Sequence, residues 1–397
     1  MRFPGPRALA ALLSLAVLAG CAEKTEQPAE PQVELKPAAF ADLQGWAEDD
    51  LTGALAAFRA SCAVIARKAA ADAMGRDAWA GKAGDWQPLC AEAAAVDASP
   101  VAARRFFEAG FVPVAVTDRG KAEGLFTGYY EPLLMGSRTE GGRYTVPLHR
   151  RPDDLVNVDL GAFDDALEGK RIAGRVEKGR LLPYPDRAAI DAGALAGRGD
   201  ELLWVDDPVA KFFLQIQGSG LVELAEGQRI RIGYADQNGR SYRAIGRDLV
   251  EMGELSREEV SLQTIRDWLR AHPDRATAVM DKNPSYVFFR ELGDASSTTG
   301  PQGAQAVALT PERSIAVDRR FVALGVPLWL DATAPFPDGD RPFRRLMVAQ
   351  DTGGAIKGPV RGDVFWGTGP LAEHVAGHMK SPGRWFALLP RALAPSS

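Results

Sequence analysis

Asp351-Thr352-Gly353-Gly354-Ala355-Ile356-Lys357-Gly358 is followed closely by Gly362-Asp363-Val364-Phe365-Trp366-Gly367, and upstream lies Val317-Asp318-Arg319-Arg320-Phe321-Val322-Ala323-Leu324-Gly325. Aspartates at the ends of apolar runs, two of them beside glycines, mark tight crossings where backbone and carboxylate share space. A carboxylate in such a place has two uses. Backbone N–H donors keep it ionised, whereas an apolar surround disfavours the charge and raises the pKa, as an acid catalyst requires. Asp351 precedes the Thr352-Gly353-Gly354 turn, whose successive N–H groups are placed to bond it, so a structural role is expected. Asp318 is flanked by Arg319 and Arg320, which favour ionisation. Asp363 precedes the apolar Val364-Phe365-Trp366 run, which can shield a carboxyl and keep it protonated near neutral pH. Asp363 is therefore the best acid in the chain.

The texture around these segments is that of short strands. With 41 Gly and 27 Pro the chain is rich in turns, which suits many short strands better than long helices. Strands are expected at Gly124 to Tyr130, Arg143 to Leu148, Leu202 to Val205, Phe212 to Gln217, Ser314 to Asp318, Leu328 to Leu330, Arg344 to Ala349 and Val364 to Gly367. A strand from Gln228 to Tyr234 is expected to turn back through Asn238-Gly239 into Ser241-Tyr242-Arg243 as a hairpin. Helices are expected between Phe40 and Phe111, where Leu51, Leu55, Phe58, Cys62 and Ile65 recur at three- and four-residue steps. Gly110 should end the last of them in a left-handed cap. A further helix is expected over Ser261 to Ala271. The fold class is mainly β with N-terminal helices, and 397 residues suggest two domains.

Several motifs in one order carry a family resemblance. Phe126-Thr127-Gly128-Tyr129-Tyr130-Glu131-Pro132, Gln215-Ile216-Gln217-Gly218-Ser219-Gly220, Tyr242-Arg243-Ala244-Ile245-Gly246 and Asn283 to Phe289 join the three aspartate segments. From about Gly124 to the C-terminus the sequence resembles the membrane-bound lytic murein transglycosylase A family, and its last part resembles the 3D domain, named for three aspartates. The resemblance implies a double-psi β-barrel domain over residues 40–131 plus 297–392, a second β-barrel-like domain inserted over residues 132–296, and a substrate groove between them. It places the catalytic aspartate at Asp363, with Asp318 and Asp351 as the two supporting ones. It implies cleavage of the MurNAc–GlcNAc bond of peptidoglycan glycan strands with formation of a 1,6-anhydro end, a reaction that requires no metal and no cofactor. Thr127, Tyr129 and Tyr130 from one strand, and Gln215, Gln217 and Ser219 from another, are the candidates to contact sugar, with core packing the alternative for the tyrosines. Gly218 and Gly220 serve the backbone. A cell-wall synthase or scaffold protein is left open as a further partner.

The N-terminus points to an export route. Arg2 and Arg7 precede an apolar run from Ala8 to Ala19 that is too short to span a membrane, and Leu18-Ala19-Gly20-Cys21 completes a lipobox. Residues 1–20 are expected to be a lipoprotein signal peptide and residues 21–39 a flexible tether, with Cys21 acylated at the periplasmic face of the outer membrane. The two remaining cysteines, Cys62 and Cys90, are expected to form a disulfide in that oxidising compartment.

Other classes fit less well. The formal net charge of −5 gives no basic face for nucleic acid. Asp351-Thr352-Gly353 resembles the aspartic-protease motif, but that chemistry needs two such motifs. His374 and His378 stand four apart, yet Glu373 does not complete the zinc-protease pattern, so no metal site is expected. A peptidoglycan-binding lipoprotein without activity remains the alternative.

Overall fold

The computed structural model describes residues 30–294 and 300–394. The described residues from Gln32 onward belong to one compact unit. The lipobox ending at Cys21 lies outside the described residues.

Strand β1 (Val33–Pro37) pairs antiparallel with β2 (Phe111–Asp118), Val33 opposite Asp118. The expected tether therefore ends earlier than residue 39, because Val33 and Leu35 pack against the core. Helices α1 (Thr52–Ile65), α2 (Ala83–Ala95) and α3 (Pro100–Gly110) lie between these strands. Leu51, Leu55, Phe58, Cys62 and Ile65 are all buried, so the three- and four-residue spacing does mark the inward face. A disulfide joins Cys62 of α1 to Cys90 of α2, with Cα atoms 5.2 Å apart. Gly110 is the last residue of α3 and makes no left-handed cap. A side chain there would meet Leu89 of α2 at 2.6 Å, so close helix packing is what asks for glycine.

After β3 (Gly124–Glu131) the chain leaves for a second sheet. Its elements are β4 (Leu133–Ser137), β5 (Val146–His149), β6 (Val156–Asp159), β7 (Arg171–Glu177), β8 (Arg180–Pro183), a single turn α4 (Arg187–Ala189) and β9 (Glu201–Val205). Then come α5 (Pro208–Gln217), β10 (Ser219–Leu224), β11 (Arg229–Gln237), α6 (Ile245–Glu251), α7 (Leu262–Ala271), α8 (Pro273–Met280) and β12 (Val287–Asp294). Six strands run in the order β12-β11-β10-β4-β9-β5, and a bridge between Arg150 and Phe289 brings the two edges together, so the sheet curls into a barrel-like body. Strands β6, β7 and β8 form a separate small sheet.

Two expected elements are different here. Phe212 to Gln217 is not a strand but the end of helix α5, buried on several sides through Phe212, Phe213, Leu214 and Gln215. Asp207 caps it by accepting from Val209 N and Ala210 N, and Gly218 closes it in the left-handed region at φ 81°. The hairpin through Asn238-Gly239 does not form either. Asn238 is buried and spends its amide on Pro185 O, Pro284 O and Tyr286 N, which pins the chain against the start of β12 instead of turning it back.

The chain then returns to the first body with β13 (Ser314–Val317), β14 (Pro327–Phe336), β15 (Gly339–Asp351), β16 (Arg361–Thr368), α9 (Pro370–His378) and β17 (Lys380–Pro390). Strands β17-β14-β15-β13-β16-β3 are hydrogen-bonded in that order, and β3 pairs again with β17, so six strands close a barrel. Two of its pairings are parallel, β13 with β15 and β16 with β3. This closed six-stranded barrel with two parallel pairs is the mainly β architecture expected from the resemblance. Its core merges with that of the N-terminal helices. The helices are tied to it by a buried bidentate pair, Arg313 to Asp49 at 2.7 and 2.8 Å, and by Gln350, which donates to Ala57 O and Ser61 Oγ.

Candidate active site

Barrel closure sets one row of residues side by side. Asp363 of β16 stands opposite Thr127 of β3 and Ala316 of β13; Ala316 in turn stands opposite Asp351 of β15, and Thr127 opposite Lys380 of β17. Because directly paired residues project to the same side of a sheet, Lys380, Thr127, Asp363 and Asp351 share one face, with only the methyl of Ala316 between the two aspartates. Alternation along β16 puts Arg361, Asp363 and Phe365 on that face, while Gly362, Val364 and Trp366 point inward. Of the expected apolar shield only Phe365 is thus beside Asp363. Trp366 faces the core and packs on Phe336 and Phe343.

The three aspartates occupy different surroundings. The Thr127 hydroxyl donates to Asp363 Oδ1 at 2.5 Å, and Arg361 Nη2 donates to Thr127 Oγ1 at 2.9 Å. Burial pushes the Asp363 carboxyl above the ordinary value of 3.8, against the pull of Thr127 and Arg361, and the charge of Asp351 adds to the rise. Asp351 accepts from Tyr129 OH at 2.8 Å and from the N–H groups of Ala304 and Thr352, each at 2.9 Å. Gly353 and Gly354 contribute none of these bonds. Burial lifts the Asp351 carboxyl as well, so its donors hold the group in place without keeping its pKa at the ordinary value. Asp318 is only 6% exposed. Burial opposes its ionisation, but Arg320 and the N–H groups of Gly358 and Arg320 outweigh it and hold the carboxyl below the ordinary range. Asp318 at one end and Thr352, whose hydroxyl donates to Val317 O, at the other pin the loop from Asp351 to Gly358.

The expected sugar contacts divide. Thr127 and Tyr129 lie on the face of Asp363, the Tyr129 ring 5.3 Å from that of Phe365, but the Tyr129 hydroxyl is committed to Asp351. Tyr130 is 3% exposed; its hydroxyl receives a bond from Arg266 Nη2, and its N–H donates to Gln217 Oε1. Tyr130 therefore binds the two bodies together, the core-packing alternative for this tyrosine. Gln215 is 5% exposed, accepts from Arg187 Nη1 at 2.6 Å and donates to Val287 O, so it belongs to the interior of the inserted body. Gln217 is half-buried and anchored on Tyr130, and Ser219 is half-buried at the start of β10. Arg361 escaped notice in the sequence. Its two-residue spacing from Asp363 on a strand was the available sign. His374 and His378 lie side by side on α9, their rings tilted by 38° with centroids 4.5 Å apart.

Comparison with known proteins agrees with this geometry. The model for the MltA specific insert domain matches residues 125–290, and that for the 3D domain matches residues 313–389. MltA from Neisseria gonorrhoeae in its monoclinic form superposes with a TM-score of 0.78 at 36% identity, over 92% of this chain and 94% of that one. The chain belongs to the membrane-bound lytic murein transglycosylase A family. A membrane-bound lytic murein transglycosylase from Agrobacterium tumefaciens matches at TM-score 0.79 and 36% identity, over 90% of this chain and 98% of that one. The curated MltA of Escherichia coli (strain K12) is 34% identical over 270 residues, which are 66% of this chain and 65% of that protein, just under two thirds of its length. E. coli MltA has also been solved with bound chitohexaose, and matches at TM-score 0.63 and 26% identity over 92% of this chain and 93% of that one.

Proposed function

We propose that this MltA-family chain cleaves peptidoglycan glycan strands as a lytic transglycosylase with Asp363 as its single acid and base, held at the periplasmic face of the outer membrane by acyl chains on Cys21. The observation that carries the proposal is the setting of Asp363: a carboxyl whose pKa is raised by burial, with one oxygen tied to Thr127. Its relatives are named for this activity, and the E. coli relative binds a chain of β-1,4-linked N-acetylglucosamine, chemically close to the glycan backbone.

Protonated Asp363 gives its proton to the glycosidic oxygen between MurNAc and GlcNAc, and the C1–O bond breaks with positive charge developing at C1. The new carboxylate then accepts the proton of the MurNAc C6 hydroxyl as O6 closes on C1. One strand leaves with a GlcNAc hydroxyl and the other with a 1,6-anhydro ring. Asp363 ends protonated as it began, and no water is consumed. The nucleophile comes from the substrate, so proximity replaces the second carboxylate of ordinary glycosidases. Asp351, tied to Tyr129 and two backbone N–H groups, stays in the scaffold.

The test is mass analysis of soluble products from purified sacculi. Wild-type protein should release anhydro-muropeptides. Asp363→Asn, nearly isosteric, should lose at least about three orders of magnitude of release, since loss of a general acid alone costs roughly two to four. Reducing muropeptides would replace this assignment with a hydrolase, and binding without release with a non-catalytic wall protein.

A further inference from the structure

We propose that Arg361 is a positioning residue for the acid: it fixes the Thr127 hydroxyl so that its proton points at Asp363 Oδ1, which leaves Oδ2 as the oxygen that carries the working proton to the glycan. The proposal rests on Asp363 being the acid and base.

The argument is one of hydrogen-bond valence. A threonine hydroxyl has one proton to give and two lone pairs to receive with, whereas guanidinium can only donate. Arg361 Nη2 sits 2.9 Å from Thr127 Oγ1 and so takes a lone pair. The Thr127 proton must point elsewhere, and Asp363 Oδ1 lies 2.5 Å away. An oxygen that accepts this bond is the unprotonated one of the two in a neutral carboxyl, so the acid proton resides on Oδ2. Arg361 is itself held still. Its Nη1 donates to the carbonyl of Gly362, and as neighbours two apart on β16 Arg361 and Asp363 project to the same side.

The placement of this arginine is poor value for stability. It is half-buried, its bonds go to a hydroxyl and to the carbonyls of Gly362 and Leu125, and among the described residues no carboxylate forms a salt bridge with it. A guanidinium so placed is partly desolvated without full compensation. What it does provide is a fixed positive charge beside a carboxyl that is neutral before proton transfer and negative after it. The charge eases the loss of the proton that burial alone would retain too firmly, and the oriented hydroxyl strengthens its bond as Oδ1 becomes charged.

Arg361→Gln, Arg361→Lys, Thr127→Val and the Thr127→Val/Arg361→Gln pair would be compared with wild type and Asp363→Asn on isolated glycan strands, following anhydro-product formation across pH. Arg361→Gln should lower kcat about tenfold or more, the scale of a lost hydrogen bond to a charged group, with KM changed less than about twofold. Without the cation the Asp363 pKa rises further, so the limb where kcat/KM falls with increasing pH should move to higher pH. Arg361→Lys keeps the charge and should return that limb towards wild type. On the Thr127→Val background, Arg361→Gln should cost kcat clearly less than it costs alone, because the hydroxyl it orients is gone and only its charge still acts on Asp363. Multiplicative losses, an unmoved limb, or a change confined to KM would each overturn the positioning role. If Arg361→Gln melts early, Thr127→Val carries the test alone: it removes another group that lowers the Asp363 pKa, and an unmoved limb there is equally fatal. A wild-type protein that forms no anhydro product takes the functional assignment and this proposal down together, whereas an active wild type and inactive Asp363→Asn beside an unaffected Arg361→Gln removes only the latter.

Discussion

Asp318 and Asp363 are carboxyls on one barrel whose ionisation acts on stability with opposite signs. For Asp363 burial raises the folded pKa above the ordinary 3.8. Its contribution to stability is fully present below the ordinary carboxylate range and is lost as pH rises through the elevated value. Asp363→Asn, which never ionises, should therefore melt higher than wild type near neutral pH, and the difference should shrink below about pH 4. A variant that melts lower at neutral pH would show that the carboxylate is favoured there. Asp318 is the reverse case: Arg320 and backbone N–H groups depress its pKa, so its contribution is present above the ordinary value and lost as pH falls through the depressed one. Asp318→Asn should lose roughly 1 to 3 kcal/mol near neutral pH through weakened charge-assisted bonds, and the loop from Asp351 to Gly358 should exchange its amides faster; equal melting of mutant and wild type across pH would contradict this. Flanking residues gave part of the environment of both aspartates, since Arg320 bonds Asp318 and Phe365 lies on the face of Asp363, while Val364 and Trp366 point inward. They misled in detail for Asp351, whose partners Tyr129 and Ala304 come from distant segments that no local pattern connects to it.

Elements were readable where one period dominated. The helical spacing of α1 survives in the fold because that helix buries one face. Helix α5 was lost because its apolar run is buried on more than one side, which removes the period; Asp207-Pro208 and Gly218, a start and a stop, were the better guides. Two tertiary links that no period encodes hold these elements in place. The disulfide between α1 and α2 closes 28 residues of chain, and its reduction should cost about 2 to 4 kcal/mol, read as a lower melting temperature with reductant and checked by intact mass. If reduction leaves melting unchanged, packing alone holds those helices. Glu131 at the end of β3 pairs with Arg231 of β11 through two bonds of 2.7 and 3.2 Å, 1% and 8% exposed, and so joins the barrel to the inserted body. Glu131→Gln weakens a charge-assisted pair with a buried arginine and should destabilise the protein by roughly 1 to 3 kcal/mol in denaturant unfolding.

For the molecule as a whole, the proposed attachment to a membrane requires an anchor. No helix among the described residues is long and apolar enough to cross one, and a formal net charge of −5 gives no general attraction to anionic lipid. The large apolar side chains that reach solvent include isolated ones such as Val101 and Leu371, which are ordinary for a globular surface, and Val156, Ile172, Val176 and Leu181, which the pairing of β6, β7 and β8 sets on one face of the small sheet. The lipobox at Leu18-Ala19-Gly20-Cys21 is the feature on which the expectation of attachment rests, through acyl chains whose combined transfer energy makes release slow where a single chain would detach. Cys21→Ser removes the thiol to which the expected lipid would be thioether-linked. Two outcomes agree with a lipid anchor: protein retained with its uncleaved apolar leader, or protein cleaved elsewhere and recovered in the soluble periplasmic fraction. Both should retain the anhydro-forming activity of the folded unit on isolated glycan once solubilised, because β1 onward makes the barrel and its site without the anchor. Fractionation after a salt wash, with the size of the chain read by mass, separates these states, and a processed Cys21→Ser chain that still sediments with outer membrane would move the attachment from the lipid to the folded surface.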